Sequence, residues 1–155
     1  MTLGEDLWAE IYAHCRAAYP HEACGLLLAP EGSDQLSYRR CKNLQTDDPI
    51  LDPKGHERSA ETAFHLDSRE LLRAEREGLA LQAIVHSHPD HDAYFSAMDR
   101  EGATYRFEGE APEPMFPGTV YLVVSVRQRS IADARWYCWS DAEAGFVEAK
   151  LSELG

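Results

Sequence analysis

The chain has 155 residues, of which 44% are hydrophobic and 27% are charged, so it has the length and composition of one globular domain. Fifteen Lys and Arg face 27 Asp and Glu, which gives a formal net charge of −12. A surface this acidic repels phosphate backbones and anionic lipid, so we expect no nucleic-acid partner and no membrane partner. No apolar run approaches the ~20 residues of a membrane span, and the acidic N-terminus does not resemble a signal peptide. The sequence therefore predicts a single domain over residues 1–155 in the cytoplasm.

The pattern of apolar residues changes along the chain from alternating helices and strands to a cluster of strands. Apolar residues spaced by three and four indicate helices, whereas short apolar runs bounded by Pro and Gly indicate strands. In chain order the predicted elements are a helix at 5–18, strands at 24–29 and 36–41, a loop at 43–60, a short strand at 62–66, a helix at 68–78, a strand at 81–85, a helix at 96–107, a loop at 108–118, and strands at 120–126, 134–139 and 145–151. This order favours an α/β or α+β fold in which helices pack on a mixed sheet.

The cysteines carry no sign of a metal knuckle or a redox motif. They lie at Cys15, Cys24, Cys41 and Cys138, without a C-x-x-C pair. Because the chain shows no export signal, we expect reduced thiols rather than disulfides. Cys24 is expected to be a buried thiol.

The segment after the strand at 81–85 carries potential metal ligands. Side chains two residues apart in a strand point to the same face, so His86 and His88 present two imidazoles side by side. Ser96 and Asp99 lie three residues apart at the start of the next predicted helix, where they share a face. Two His and one Asp leave a fourth position for water, as in catalytic zinc sites.

Two other interpretations of this segment are open at this level. Ser96 and Asp99 also fit a helix capping box, which satisfies free backbone N–H groups. His86, His88, Asp90 and His91 fit H-x-H-x-D-H, the first metal motif of the metallo-β-lactamase superfamily. His91 is the last histidine of the chain, so the later ligands of that superfamily have no counterpart. We therefore interpret Asp90 and His91 as the turn after the strand.

The complete spacing resembles the signature of the JAMM (MPN-plus) metalloproteases, H-[ST]-H-x7-S-x2-D. It is matched by the run 86–88, then Ser96, then Asp99. That family also has a glutamate near its first strand, and Glu22 lies in the segment 19–27, which resembles the opening of small bacterial members. The resemblance implies a single MPN/JAB-type domain with a central mixed sheet flanked by helices, a cytidine-deaminase-like architecture.

The same resemblance implies a role for each matching residue. His86, His88 and Asp99 would hold one Zn²⁺ per chain, Glu22 would act as general base, and Ser96 would donate a hydrogen bond to the oxyanion of the tetrahedral intermediate. The expected reaction is hydrolysis of an amide bond at or after the C-terminal tail of a ubiquitin-like or sulfur-carrier protein that ends in Gly-Gly. The alternatives are a non-catalytic MPN scaffold and a metal-dependent hydrolase of a small amide. The sequence does not specify an oligomeric state.

Three further features of the sequence concern the choice of substrate and the structural support of the site. Tyr94 and Phe95 precede the motif serine. Small bacterial members of the family commonly have a proline just before that serine. The loops 43–60 and 108–118 fall where larger relatives carry substrate-binding insertions, and both are acidic here. Ser87 points to the opposite face of the strand from the histidines, so we expect it to pack or support the site rather than react.

Overall fold

The computed structural model describes residues 1–154, which form three α-helices and eight strands. In chain order these are α1 (Glu5–Ala18), β1 (Cys24–Pro30), β2 (Ser37–Cys41), α2 (Ser68–Arg76), β3 (Leu79–Pro89), α3 (Ala97–Ala103), β4 (Thr104–Tyr105), β5 (Glu113–Pro114), β6 (Val120–Arg127), β7 (Ser130–Ser140) and β8 (Gly145–Ala149). Single 3-10 turns lie at Leu44–Thr46 and Leu151–Glu153. Among the described residues, no helix is both long enough and apolar enough to cross a bilayer.

Six strands form one mixed sheet in the order β2-β1-β3-β6-β7-β8. Strands β3 and β6 are parallel, and the other neighbouring pairs are antiparallel. A separate two-stranded ribbon joins β4 to β5. The predicted mixed sheet with flanking helices is therefore confirmed.

The sheet separates two apolar clusters, and this separation decides which side chains can meet. Helix α1 contributes Ile11 to the cluster on one face, together with Val85 of β3. The opposite face holds a cluster that contains Ala74 of α2, Ala103 of α3 and Ile84 of β3. Because side chains alternate along a strand, the histidines of β3 share the face of Ile84, on the side of α2 and α3.

The strand predicted at 62–66 is wrong. This segment is joined to the chain at 43–44 by one isolated bridge, Asn43–Leu66, and by the Asn43 side chain, whose Oδ1 accepts the N–H of His65. A single side-chain amide here replaces a ladder of backbone hydrogen bonds. The apolar side chains that suggested a strand, Phe64 and Leu66, pack on the sheet from an irregular segment.

Helix α3 is shorter than the predicted 96–107. It ends at Ala103, and the chain continues into β4, where a β-branched and an aromatic residue favour extended backbone. The loop predicted at 108–118 supplies the partner strand β5. The N–H of Met115 also donates to the carbonyl of Ala103, which joins this segment to the end of α3.

Other boundaries differ by a few residues. Strand β7 begins at Ser130 instead of 134, because a two-residue turn at Gln128 and Arg129 with positive φ connects it directly to β6. Neither turn residue is Gly, so the usual hairpin signal is missing from the sequence. Strand β3 extends to Pro89 and includes both histidines. The four cysteines are free, and Cys24 is fully buried, as predicted.

Candidate metal centre and cleft

Strand β3 presents two buried imidazoles near its C-terminal end. The ring centroids of His86 and His88 are 5.1 Å apart, and the residues are 0% and 6% exposed. His86 is stacked on the ring of Phe64 with centroids 4.5 Å apart. Tyr94 contacts His88 edge-on at 5.1 Å. Both rings are therefore held in fixed orientations.

The hydrogen bond of His88 fixes its tautomer. Its Nδ1 lies 2.8 Å from the carbonyl oxygen of Asp92, which can only accept, so Nδ1 carries the proton. Its Nε2 lies 3.2 Å from Oδ2 of Asp99. In a neutral ring this nitrogen and the carboxylate oxygen are both acceptors, so a cation must lie between them. A proton shared by the two atoms or a metal ion meets that requirement.

Asp99 completes a convergence of three side chains. Its Oδ1 lies 3.1 Å from Nε2 of His86, but this contact is not aligned as a hydrogen bond. Burial raises the pKa of Asp99, yet the nearby charges of His86 and His88 and the hydrogen bond from His88 outweigh burial and hold that pKa far below its usual range. Its Oδ2 also accepts the backbone N–H of Ser96 at 2.8 Å. The carboxylate thus lies between the two rings, in surroundings that favour its anionic form.

Glu22 lies opposite His88 because of the register between β1 and β3. Cys24 pairs with His86, and the N–H of Ser87 donates to the carbonyl of Ala23, so continuing the pairing by one residue brings Glu22 across from His88. The residue is 4% exposed. Burial, and secondly the negative charge of Asp99, raise the pKa of the Glu22 carboxyl well above its usual range.

Several polar atoms of this centre lack partners within residues 1–154. They are Oε1 of Glu22 and both ring nitrogens of His86. One ligand atom from each of Glu22, His86 and His88 can be chosen such that all lie within 4.8 Å of one another. Buried polar atoms are ordinarily hydrogen-bonded, so this convergence of unpartnered potential ligand atoms fits a bound cation. Imidazole nitrogens with carboxylate oxygens are a ligand set that zinc prefers.

Ser96 serves as the N-cap of α3. Its Oγ accepts the N–H of Asp99 at 3.0 Å. The Asp99 carboxylate in turn accepts the N–H of Ser96, and the two bonds form a capping box. The capping interpretation is therefore confirmed as a structural fact. It does not exclude a second role, since a hydroxyl that accepts one hydrogen bond retains its own proton for donation.

Two cavities meet at the centre. The first, which we call the Glu22 cleft, has a volume of about 340 Å³ and is lined in part by Glu22, His88 and Ser96. The second, the Phe64 cavity, has about 300 Å³, is mostly apolar, and reaches His86 and Asp99. The five predicted site residues are thus brought together between an open cleft and an apolar cavity.

The remaining predictions from the sequence fall around this centre. Ser87 is buried on the opposite face of β3, and its Oγ accepts the N–H of Ala23, next to Glu22. Burial raises the pKa of the Cys24 thiol, which keeps it protonated and unreactive. Asp90 lies in the turn after β3 and accepts hydrogen bonds from the Tyr19 hydroxyl and the Gln128 N–H.

Two residues around the centre are not predicted by the sequence. Phe64 was placed in a strand, and its stacking on His86 has no signature in the spacing of the chain. Arg58 lines the Glu22 cleft from the long loop predicted at 43–60. A basic residue in a polar loop carries no periodic signal, so only the folded chain shows that Arg58 faces this cleft.

Comparisons with known proteins agree with this fold. The CysO-cysteine peptidase of Mycobacterium tuberculosis (strain H37Rv) is 30% identical over 141 residues, which cover 88% of this chain and 81% of the relative. A solution structure from Salinibacter ruber is 28% identical with a TM-score of 0.62, and the match covers 97% of this chain and 89% of the other. A solution structure from Desulfitobacterium hafniense has a TM-score of 0.60 at 23% identity, covering 94% and 87%, and shows the likeness of fold. The family model of prokaryotic homologues of the JAB domain matches residues 4–139, and the chain belongs to that family.

Proposed function

We propose that this protein is a zinc-dependent peptidase that hydrolyses an amide bond at or after the C-terminal tail of a ubiquitin-like or sulfur-carrier protein ending in Gly-Gly. The observation that carries the proposal is the convergence of Asp99 and Glu22 on His86 and His88, with Oε1 of Glu22 and both ring nitrogens of His86 left without hydrogen-bond partners. The mycobacterial relative is named as a peptidase of CysO-cysteine. This name supports a carrier protein with an attached amino acid as the substrate.

The contacts support a division of roles between the two acids. Asp99 is fixed between both rings and the N–H of Ser96, as a ligand should be. Glu22 has an oxygen without a partner, so it is free to exchange a proton. We assign His86, His88 and Asp99 as ligands and Glu22 as the general base. Zinc, when bound, supplies Lewis acidity, which polarises a carbonyl and makes water a usable nucleophile at neutral pH.

The residues of this chain then perform the proton transfers. Glu22 takes a proton from the attacking water as the water oxygen bonds to the scissile carbonyl carbon. The Ser96 hydroxyl donates to the carbonyl oxygen as negative charge develops there, a contact worth about 10²–10³ in rate. Glu22 then gives its proton to the leaving nitrogen as the C–N bond breaks. The products are a carrier tail ending in a carboxylate and a free amine.

Two further elements of the proposal concern the surroundings of the site. The extended Gly-Gly tail would lie in the Glu22 cleft, where glycines permit close approach to the backbone. We also propose that the protein acts in the cytoplasm, where the four free cysteines stay reduced. The proposed domain comprises residues 1–155, and no oligomeric state is part of the proposal.

The test combines metal content with hydrolysis. Protein purified without added zinc is expected to contain about one zinc per chain, with His88→Ala as the depleted control. The loaded protein is expected to cleave a sulfur-carrier protein whose Gly-Gly tail is extended by one residue. Zinc without any cleavage would leave the scaffold interpretation, and turnover of small amides alone would favour a small-molecule hydrolase. Absence of zinc even after reconstitution would contradict the proposal.

A further inference from the structure

Arg58 is a cation in the same cleft as the candidate catalytic groups. Its side chain lines the Glu22 cleft together with Glu22, His88 and Ser96. The net charge of the protein is −12, and a second acid, Glu61, lines the same cleft. A negatively charged group of a substrate would be repelled there unless a local cation accepted it.

Hydrogen bonds within the loop 43–60 hold the backbone of Arg58 in place. Gln45 is 2% exposed, and its Nε2 donates to the carbonyls of Ile50 and Arg58 at 2.9 Å each. Its Oε1 accepts the N–H of Ile50. The carbonyl of Ala60, two residues after Arg58, accepts the N–H of Glu22 at 2.7 Å. The loop is therefore joined directly to the backbone of the proposed general base.

The side chain of Arg58 is held from one side only. Asp52 is 9% exposed, and its Oδ1 accepts the backbone N–H groups of Lys54 and His56 at 2.9 Å each. Its Oδ2 lies 3.3 Å from Nε of Arg58. Within residues 1–154 no carboxylate other than Asp52 lies within 4.0 Å of this guanidinium. The side chain is 48% exposed and Arg58 lines the cleft, so its unshared donors are accessible to a ligand there.

The proposed reaction places the leaving residue beside this cation. Glu22 must reach the leaving nitrogen to protonate it, so the leaving residue occupies the cleft that Glu22 and Arg58 share. In a residue joined through its α-amine, the α-carboxylate is attached to the atom next to that nitrogen and enters the same cleft. A guanidinium fork matches a carboxylate in geometry and charge.

Building on the proposed function, we infer that Arg58 binds the free α-carboxylate of the leaving residue and thereby makes the enzyme selective for carriers that bear a single added amino acid. Arg58 is then a specificity-determining residue. Chains that continue beyond the cleaved bond present an uncharged amide at this position. A lysine joined through its side-chain amine places its carboxylate several bonds further away. Both would bind without this ion pair.

The experiment compares two substrates that differ at one group. A sulfur-carrier protein with a Gly-Gly tail is extended by one alanine, with either a free carboxylate or a carboxamide at its end. The zinc-loaded wild-type protein is expected to show kcat/KM about 10- to 100-fold higher for the acid, the usual worth of a hydrogen bond to a charged group. Arg58→Gln is expected to remove this preference, because kcat/KM falls far more for the acid than for the amide.

Two control variants separate this role from a structural one. Arg58→Lys keeps the charge but not the fork, so we expect a preference between those of the wild type and Arg58→Gln. Arg76→Gln removes the same charge from an exposed position in α2, outside the cleft, and should keep the full preference. Zinc content and the midpoint of thermal unfolding are measured for every variant to establish that each is folded and loaded.

The outcomes distinguish this inference from the proposed function. Equal kcat/KM for acid and amide in the wild type, or a preference that survives in Arg58→Gln, would overturn the role of Arg58 while hydrolysis stands. If the zinc-loaded wild type cleaves neither carrier, the proposed function fails. Arg58 is then tested by the affinity of Glu22→Gln for the two carriers, with and without Arg58→Gln. Equal affinities for acid and amide would overturn the inference there as well.

Discussion

Glu22 lies across from His88 because Cys24 pairs with His86 in the antiparallel register of β1 and β3. The carboxylate and the imidazole are separated by 66 residues in the chain, yet one strand pairing sets their relationship. A shift of this register by one residue would turn Glu22 to the opposite face of the sheet. The position of the proposed base therefore depends on the stability of the β1–β3 pairing.

Replacing Glu22 by Gln is expected to keep the fold and the zinc but to abolish turnover. The amide has the shape of the carboxyl group but cannot accept a proton, and loss of general acid–base catalysis typically costs about 10²–10⁴-fold in rate. The measurement is kcat on the carrier substrate, alongside zinc per chain. Activity within tenfold of the wild type at full zinc content would remove Glu22 from the mechanism.

Two substitutions at Asp99 separate metal binding from helix capping. Asp99→Asn can still accept the N–H of Ser96, whereas Asp99→Ala cannot. We expect both variants to lose zinc on dialysis against a chelator that the wild type withstands. In zinc-free protein, Asp99→Ala should unfold with a free energy about 1 kcal/mol lower than Asp99→Asn, the net worth of one hydrogen bond. Retention of one zinc by Asp99→Asn would show that Asp99 is only a cap.

The sequence predicted the local parts of the centre well. The two-residue period of a strand placed His86 and His88 on one face, and the three-residue spacing placed Ser96 and Asp99 together at a helix start. The mixed sheet was predicted from the order of elements and is confirmed. The catalytic and ligand roles of these residues stay predictions.

The parts that spacing did not predict depend on distant contacts. Glu22 was singled out by family resemblance alone, since strand register is not visible in one sequence. The loop predicted at 43–60 has no periodicity, and Arg58 is positioned by the buried polar side chains of Gln45 and Asp52. The wrong strand at 62–66 has the same origin, because the side chain of Asn43 holds that segment in place of a ladder.

Ser87→Ala is expected to lower both stability and turnover while zinc stays bound. The Ser87 hydroxyl accepts the buried N–H of Ala23, and an unsatisfied buried donor costs about 1–3 kcal/mol. Because Ala23 follows Glu22, a looser backbone here misplaces the proposed base. The free energy of unfolding and kcat are measured with Ser130→Ala, at an exposed position, as the matched control. A kcat unchanged from that of the control would confine Ser87 to packing.

We expect His14 to make the protein less stable in mild acid. Burial, and secondly the charge of Arg40, lower the pKa of His14 from 6.5 to about 4, and its Nδ1 lies 2.8 Å from the Tyr38 hydroxyl. Between pH 6.5 and about 4 the unfolded chain therefore binds a proton at His14 that the folded protein does not. The contribution of this residue to stability is fully present above pH 6.5 and is lost as the pH falls towards 4.

The size of this loss is on the order of 1 kcal/mol, because the ring is only half-buried and partly screened by solvent. The measurement is the free energy of unfolding by urea at pH 7 and pH 4.5, for the wild type and for His14→Gln. The variant cannot take up this proton, so its stability should fall less between the two pH values than that of the wild type. Equal falls would show that carboxylates elsewhere account for the whole acid sensitivity and that His14 titrates alike in both states.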